Sequence, residues 1–230
     1  MGNLSSVRFA CEAAGLDAVV TSAACDLWGA DGIILPGVGA FGSAMEALRS
    51  LDLVCPLRDL ATAKPLMGVC LGMQLLMTES EEFGVHQGLG ILEGSVVRLD
   101  RDVRAEKAPK IPHVGWNSVF RTMPAGDACG HEDGWTGSLL AGLRQGVSMY
   151  FVHSFQVIPA SPEVRLAMTR YEGVEFCSAI RHGRVTAFQF HPERSGEEGL
   201  RVYRNLASWL QTDAAGTEEM NARDNAAIAC

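Results

Sequence analysis

No stretch of this 230-residue chain is long and apolar enough to cross a bilayer. The most apolar run, Pro65 to Met77, is interrupted by Gly68 and Gly72, whereas a spanning helix needs about 20 apolar residues. The first residues carry neither a basic region nor an apolar core, so no secretory signal is visible. A cysteine framework is missing too. The seven cysteines, at 11, 25, 55, 70, 129, 177 and 230, are odd in number and never form a CxxC pair. A disulfide-stapled fold uses an even, closely spaced set, and structural zinc uses paired ligands. Most of these thiols read as small buried hydrophobes, no metal or cofactor is expected, and the address reads as cytoplasmic. Positive charge is in deficit. A net charge of −8 makes nucleic acid and anionic membrane poor partners. Internal repeats are absent. What is there is 47% hydrophobic, too apolar for disorder and enough for one sizeable core.

The first half alternates strands and helices. Leu4, Val7, Cys11 and Ala14 recur at helical spacing, with Gly15 placed as a left-handed cap. Ala18–Thr21, Gly32–Pro36 and Pro65–Val69 are short apolar strands without alternation, as in a parallel sheet covered on both faces. Helices follow at Met45–Leu51, Leu53–Leu60 and Leu71–Thr78. The second half reads as antiparallel β: strands at 96–99, 114–120, 149–152 and 164–169, then 176–181 and 184–190 flanking a His182-Gly183 turn. Ser195 is placed to cap a last helix carrying Leu200, Tyr203, Leu206 and Leu210 on one face. The expected fold is α/β, an open mixed, mostly parallel sheet with helices on both faces and added antiparallel strands in the C-terminal half. One domain is expected over residues 1–211, with 212–230 an unstructured tail.

Chemistry concentrates at strand ends. In Gly68-Val69-Cys70-Leu71-Gly72 a cysteine stands between a buried strand and a helix. Flanking glycines allow a sharp turn, the helix start favours thiolate, and the Leu71 N–H points where an oxyanion would form. Read alone, the same residues also describe a buried cysteine in an ordinary strand-to-helix turn. His191 and Glu193 close the last strand. Two apart in extended chain they point to one side, as a base and the carboxylate that orients it. Pro36-Gly37-Val38-Gly39-Ala40-Phe41-Gly42 follows another strand and offers bare backbone N–H groups. It lacks the Lys-Ser/Thr ending of a phosphate loop.

These segments, GVCLGMQ (68–74), PGVGAFG (36–42) and HPERS (191–195), resemble the class I, triad-type glutamine amidotransferases. PHVGWN (112–117) and YFVHSF (150–155) resemble the glutaminase-subunit family of imidazole glycerol phosphate synthase, of histidine biosynthesis. The resemblance runs from Met1 to about Leu210. It implies Cys70 as nucleophile on glutamine, His191 as its base and Glu193 as orienter. It implies an oxyanion hole from Val38 and Leu71, and substrate contacts at Gly37, Gly39, Gln74, Glu82 and Ser154. It further implies a (β/α)8-barrel cyclase partner in a heterodimer, with Trp116 and Asn117 near that interface. The alternatives are another cysteine hydrolase on the same elbow, a γ-glutamyl hydrolase or peptidase, and a binding module with a vestigial triad.

Other positions are read as structural. His153 is expected to be packed, His86, His113, His131 and His182 solvated in loops or turns, and Trp28, Trp135 and Trp209 packed. Cys129 with His131 is too sparse for a metal. Val114 and Arg194 replace a Met and a Lys common in the family, and the 122–138 loop is long. Family members begin with an apolar strand and an Asp-Tyr-Gly-like turn before Gly-Asn-Leu, whereas this sequence opens at Met1-Gly2-Asn3-Leu4. A first strand is therefore expected to be missing from the middle of the sheet.

Overall fold

The computed structural model describes residues 4–101, 108–122, 135–215 and 225–229. Parallel strands β1 (Asp17–Thr21), β2 (Gly32–Gly37) and β3 (Leu66–Cys70) alternate with helices, as their apolar runs predict, and β12 (Val185–Phe188), expected in the antiparallel half, joins them parallel to β3. Antiparallel strands β11 (Val174–His182), β10 (Arg165–Tyr171), β7 (His113–Arg121) and β8 (Val147–His153) extend the sheet. Together with β13 (Asn225–Ala229) the order is β1-β13-β2-β3-β12-β11-β10-β7-β8.

Both faces of β2, β3 and β12 are covered, and the alternation of these strands sorts side chains between two cores. β1, expected to be covered in the same way, is instead an edge strand with Val19 and Val20 exposed. Ile34, Met67 and Val69 pack on one side, against Val7 and Cys11 of α1 (Leu4–Ala13) and Val202, Tyr203, Leu206 and Leu210 of α6 (Gly196–Ala215). Ile33, Leu35 and Leu66 pack on the other, under α2 (Ala24–Gly29), α3 (Phe41–Ser50) and α4 (Val54–Ala63). Gly15 ends α1 at φ 83, and the Leu16 N–H closes back on the Cys11 carbonyl at 2.9 Å. Among the described residues no helix is long and apolar enough to cross a membrane.

A second sheet, in the order β5 (His86–Gln87), β4 (Glu79–Ser80), β6 (Gly94–Arg98), β9 (Phe155–Pro159), was not expected as a separate layer. The chain crosses into it at Ser154, between β8 and β9. The strand expected at 96–99 belongs to it as part of β6, while β4 and β5, two residues each, are too short for two-residue periodicity to show. The helix expected over Leu71–Thr78 stops earlier, as α5 (Leu71–Leu75). Residues 76–78 turn instead toward this sheet, where the Thr78 N–H meets the Gly94 carbonyl at 3.1 Å.

The largest departure is at the C-terminus. Residues 212–230 were expected to be an unstructured tail, yet α6 runs on to Ala215 and Asn225–Ala229 forms a strand. β13 pairs in parallel with β1 on one side and β2 on the other, Val20 opposite Ile228 and Ile33 opposite Ala227. Ala226 and Ile228 enter one core and Ala227 the other. This is the central position where an absent strand was expected to leave a slot. A five-residue Ala-rich segment beside polar residues carries too little apolar periodicity to be read as a buried strand from sequence.

Candidate active site

β3 ends at Cys70, which caps α5 with φ 54 and ψ −108, in a region that a non-glycine residue rarely adopts. Packing holds that turn. A Cβ on Gly72 would lie 1.7 Å from the Leu35 carbonyl oxygen, and one on Gly68 would lie 2.8 Å from the Ala187 Cβ. Both glycines are therefore required by close approach, Gly72 to the backbone of β2 and Gly68 to β12. The Leu71 N–H begins α5 and has no intrahelical acceptor. The Cys70 sulfur lies 3.8 Å from the Val152 carbonyl and 3.7 Å from Gln189 Nε2.

β12 stops at Phe188, two residues before the expected end. His191 follows in extended conformation, and Pro192–Arg194 is a 3-10 turn. The expectation that Glu193 reaches His191 along extended chain is thus corrected. The turn brings the carboxylate round, so that Glu193 Oε1 lies 2.7 Å from His191 Nδ1 with both side chains buried. Burial alone would lower the imidazole's proton affinity. Hydrogen bonds and charges from Cys70 and Glu193 outweigh it and raise the pKa to about 10. Ser195 does not serve as a simple cap. Its hydroxyl donates to the His191 carbonyl at 2.7 Å and accepts the Tyr150 N–H at 3.0 Å, locking the turn against β8.

A cavity of about 270 Å³ opens over the sulfur, lined by Val38, Gly39, Cys70, Leu71, Gln74, Glu82, Pro112, Val152, His153, Ser154, Phe155 and His191. Most of the expected site residues therefore meet in one place. Gly37 does not line the cavity. It lies behind, paired in register with Cys70, and a Cβ there would lie 3.0 Å from the Leu71 Cβ. Glu82 does more than line the wall, since its Oε2 accepts the Phe41 N–H at 2.7 Å. It thereby holds the first turn of α3 beside the Gly-rich loop, where helix dipoles favour an anion. Gln74 is nearly buried, and its Nε2 donates to the Phe155 carbonyl (3.3 Å) and to Gln189 Oε1 (3.0 Å).

Two histidines on neighbouring strands meet beside this cavity. His153 is packed, as expected. His113 was expected to be solvated, but it is 2% exposed on β7, stacked against Tyr171 and Phe151. Its Nδ1 lies 3.0 Å from His153 Nε2, and His153 Nδ1 lies 2.8 Å from the Phe155 carbonyl. The carbonyl can only accept, so a consistent arrangement has His153 Nδ1 and His113 Nδ1 as donors. Burial lowers His113 to about 4 and His153 to about 3, keeping both neutral.

Trp116 and Asn117 face opposite ways. Trp116 is 57% exposed beside Val114 and Phe120 on one face of β7. Asn117 turns toward the His113 side and donates to the Arg170 carbonyl at 3.0 Å. Trp28, expected to be packed, is 51% exposed. His86 belongs to β5, its ring against Gly42, while His182 is exposed at the end of β11. Cys11, Cys70 and Cys177 are buried but Cys25 and Cys55 are exposed. Cys129, His131 and Cys230 lie outside the described residues, as does most of the 122–138 loop. Among the described residues no cluster of His, Cys, Asp and Glu is arranged to hold a metal.

Gln189 and Tyr150 were not singled out from the sequence, and Ser195 was read only as a helix cap. Gln189 had a signal: it stands two residues before His191, on the same alternation that drew attention to His191 and Glu193.

Residues 4–207 match the family "Glutamine amidotransferase class-I". The imidazole glycerol phosphate synthase subunit HisH of Rhodopirellula baltica is 42% identical over 209 residues, covering 90% of this chain and 93% of the relative. That of Aquifex aeolicus is 44% identical over 208 residues, covering 90% and 91%. That of Syntrophotalea carbinolica is 43% identical over 208 residues, covering 90% and 95%. In three dimensions a crystal structure of a glutamine amidotransferase superposes with a TM-score of 0.61 at 20% identity, covering 91% of this chain and 95% of that one. This likeness agrees on the fold. The family match and the HisH relatives each span nearly the whole chain, and on them the protein belongs to the class I glutamine amidotransferases, in the HisH family of imidazole glycerol phosphate synthase subunits.

Proposed function

We propose that this chain hydrolyses glutamine to glutamate and ammonia and passes the ammonia to a (β/α)8-barrel cyclase, with which it forms a heterodimer. The cyclase uses it to make imidazole glycerol phosphate and aminoimidazole carboxamide ribotide. One observation carries the reading: Cys70 and a buried, hydrogen-bonded His191–Glu193 pair come together at a cavity walled by Val38, Gly39 and Glu82. Cys70 attacks the side-chain amide carbon, and its proton rests on His191. The developing oxyanion is met by the Leu71 N–H and by the Val38 N–H of the loop, where one donor contributes about 3 kcal/mol. His191 gives its proton to the departing ammonia, leaving a thioester. Water, deprotonated by the same imidazole, then releases glutamate.

Glu82 and the Ser154 bend are placed to hold the amino-acid end of glutamine. Gln74 has both amide hydrogens committed to protein acceptors, so its Oε1 is the atom it can turn to substrate. The exposed row Val114, Trp116 and Phe120 supports a docking face on β7. Free cysteines, Cys70 among them, suit the reducing cytoplasm as the site of action.

The test is Cys70→Ala in the complex with the cyclase. Glutamine-dependent synthesis is expected to vanish while synthesis from added ammonium persists. Equal loss of both activities would overturn the division of labour.

A further inference from the structure

The Cys70 sulfur has a neighbour that the reaction above does not use. Gln189 lies between β12 and His191 and is fully buried. Its Nε2 is 3.7 Å from Cys70 Sγ, within range of an N–H···S bond. The chain of partners fixes which end of this amide faces the sulfur. The Phe155 carbonyl can only accept, so Gln74 must present Nε2 to it. The same Nε2 then meets Gln189 at 3.0 Å, so Gln189 must turn Oε1 that way. What remains is the Gln189 NH2, directed at Cys70. A flipped Gln189 would set nitrogen against nitrogen and oxygen against sulfur in a buried site.

We propose that Gln189 is the amide donor that holds and stabilises the Cys70 thiolate, with Gln74 and the Phe155 carbonyl fixing its direction. A hydrogen bond to an ionised acceptor is roughly twice as strong as one between neutral groups. The bond therefore gains when the thiol proton passes to His191, and it weakens again once the sulfur is acylated. It also fixes the sulfur from the side opposite the solvent, so attack starts from one position. The Gln189 backbone N–H is held by the Ser178 carbonyl at 3.0 Å, and complete burial with the bond from Gln74 leaves the side chain little freedom to move away.

The inference rests on Cys70 being the nucleophile, and one experiment separates the two. The full chain is treated with iodoacetamide across a pH range, and alkylation of the Cys70 peptide is followed by mass spectrometry. Wild type is compared with Gln189→Met and Gln189→Glu, alongside kcat and KM for glutamine hydrolysis. The other titratable groups facing the sulfur, His191 with Glu193 behind it, His153 on the wall and Glu82 across the cavity, are the same in all three proteins. In Gln189→Met the midpoint of alkylation is expected to rise by about one pH unit, with kcat lower by about tenfold and KM little changed. Gln189→Glu keeps the size of the side chain and its acceptor toward Gln74, and covers the case in which the methionine variant does not fold. It is expected to move the midpoint the same way, further. An unchanged midpoint in a folded variant, or a loss confined to KM or to thermal stability, would overturn the proposal. Alkylation of wild-type Cys70 that leaves turnover intact would instead overturn the nucleophile itself.

Discussion

Gly37 and Cys70 are register partners across β2 and β3. The residue that opens the Gly-rich loop and the proposed nucleophile thus stand side by side at the carboxyl ends of adjacent parallel strands, where open α/β sheets place their sites. β12 flanks β3 on its other side, with Phe188 opposite Val69, and delivers His191 from that direction. Three neighbouring strands therefore supply the proposed oxyanion donor, nucleophile and base. Their relative positions are fixed by backbone ladders that a single side-chain change does not shift.

Glu193 is expected to act through His191 alone. Glu193→Gln keeps the shape of the turn and removes the anion at 2.7 Å. Glutaminase kcat is expected to fall by about 10²–10⁴-fold with little change in KM. The imidazole, raised to about 10 in the wild type, is expected to titrate lower, as read by NMR of labelled histidine. His191, raised against burial by Cys70 and Glu193 together, sets an alkaline limb of stability. Its contribution is full below about 6.5, the ordinary histidine value, and is lost as pH rises toward about 10. That limb is expected to shrink in Glu193→Gln. A variant with wild-type kcat would remove Glu193 from the mechanism.

The His113–His153 pair is expected to make the protein acid-sensitive. Both are depressed by burial, to about 4 and about 3. Below about 6.5 the unfolded chain takes up protons that the folded chain refuses, so stability falls as pH drops toward the folded values. The slope approaches about 1.4 kcal/mol per pH unit for each histidine. His191 does not contribute to this window, being protonated in both states there. Urea unfolding at pH 7, 6 and 5 is the measurement, and His113→Phe is expected to show a shallower slope. Equal slopes in both proteins would mean that His113 is not held neutral.

The C-terminal strand is expected to be part of the folding unit. Ile228 is fully buried between β1 and β2. Ile228→Asp places an unpaired charge in that layer and is expected to cost at least about 3 kcal/mol. A chain ending at residue 215 leaves both neighbouring ladders open in the core, with a cost of the order of the whole stability of a domain, about 5–15 kcal/mol. Glutaminase activity is expected to fall with it, because β2 carries the loop at Gly37–Gly39. A truncated chain with an unchanged unfolding midpoint would place β13 elsewhere in solution.

The sequence by itself determined the parallel half and marked the candidate reacting residues. Continuous apolar runs such as Gly32–Pro36 and Pro65–Val69 specify strands buried on both faces, since no polar residue offers a solvent side. Gly68 and Gly72 around Cys70, and His191 with Glu193, stand out by residue type and spacing, and the family resemblance gives them their expected roles. The tertiary structure decided what depends on distant partners. The amide of Gln189 acquires a direction only from Gln74 and the Phe155 carbonyl, both remote from it in sequence. His113 is neutral because Tyr171, Phe151 and His153 enclose it, contacts that no local pattern encodes. Asn225–Ala229 has too few large apolar residues to declare itself a strand, and becomes one because β1 and β2 leave between them two ladders of backbone groups that must be paired.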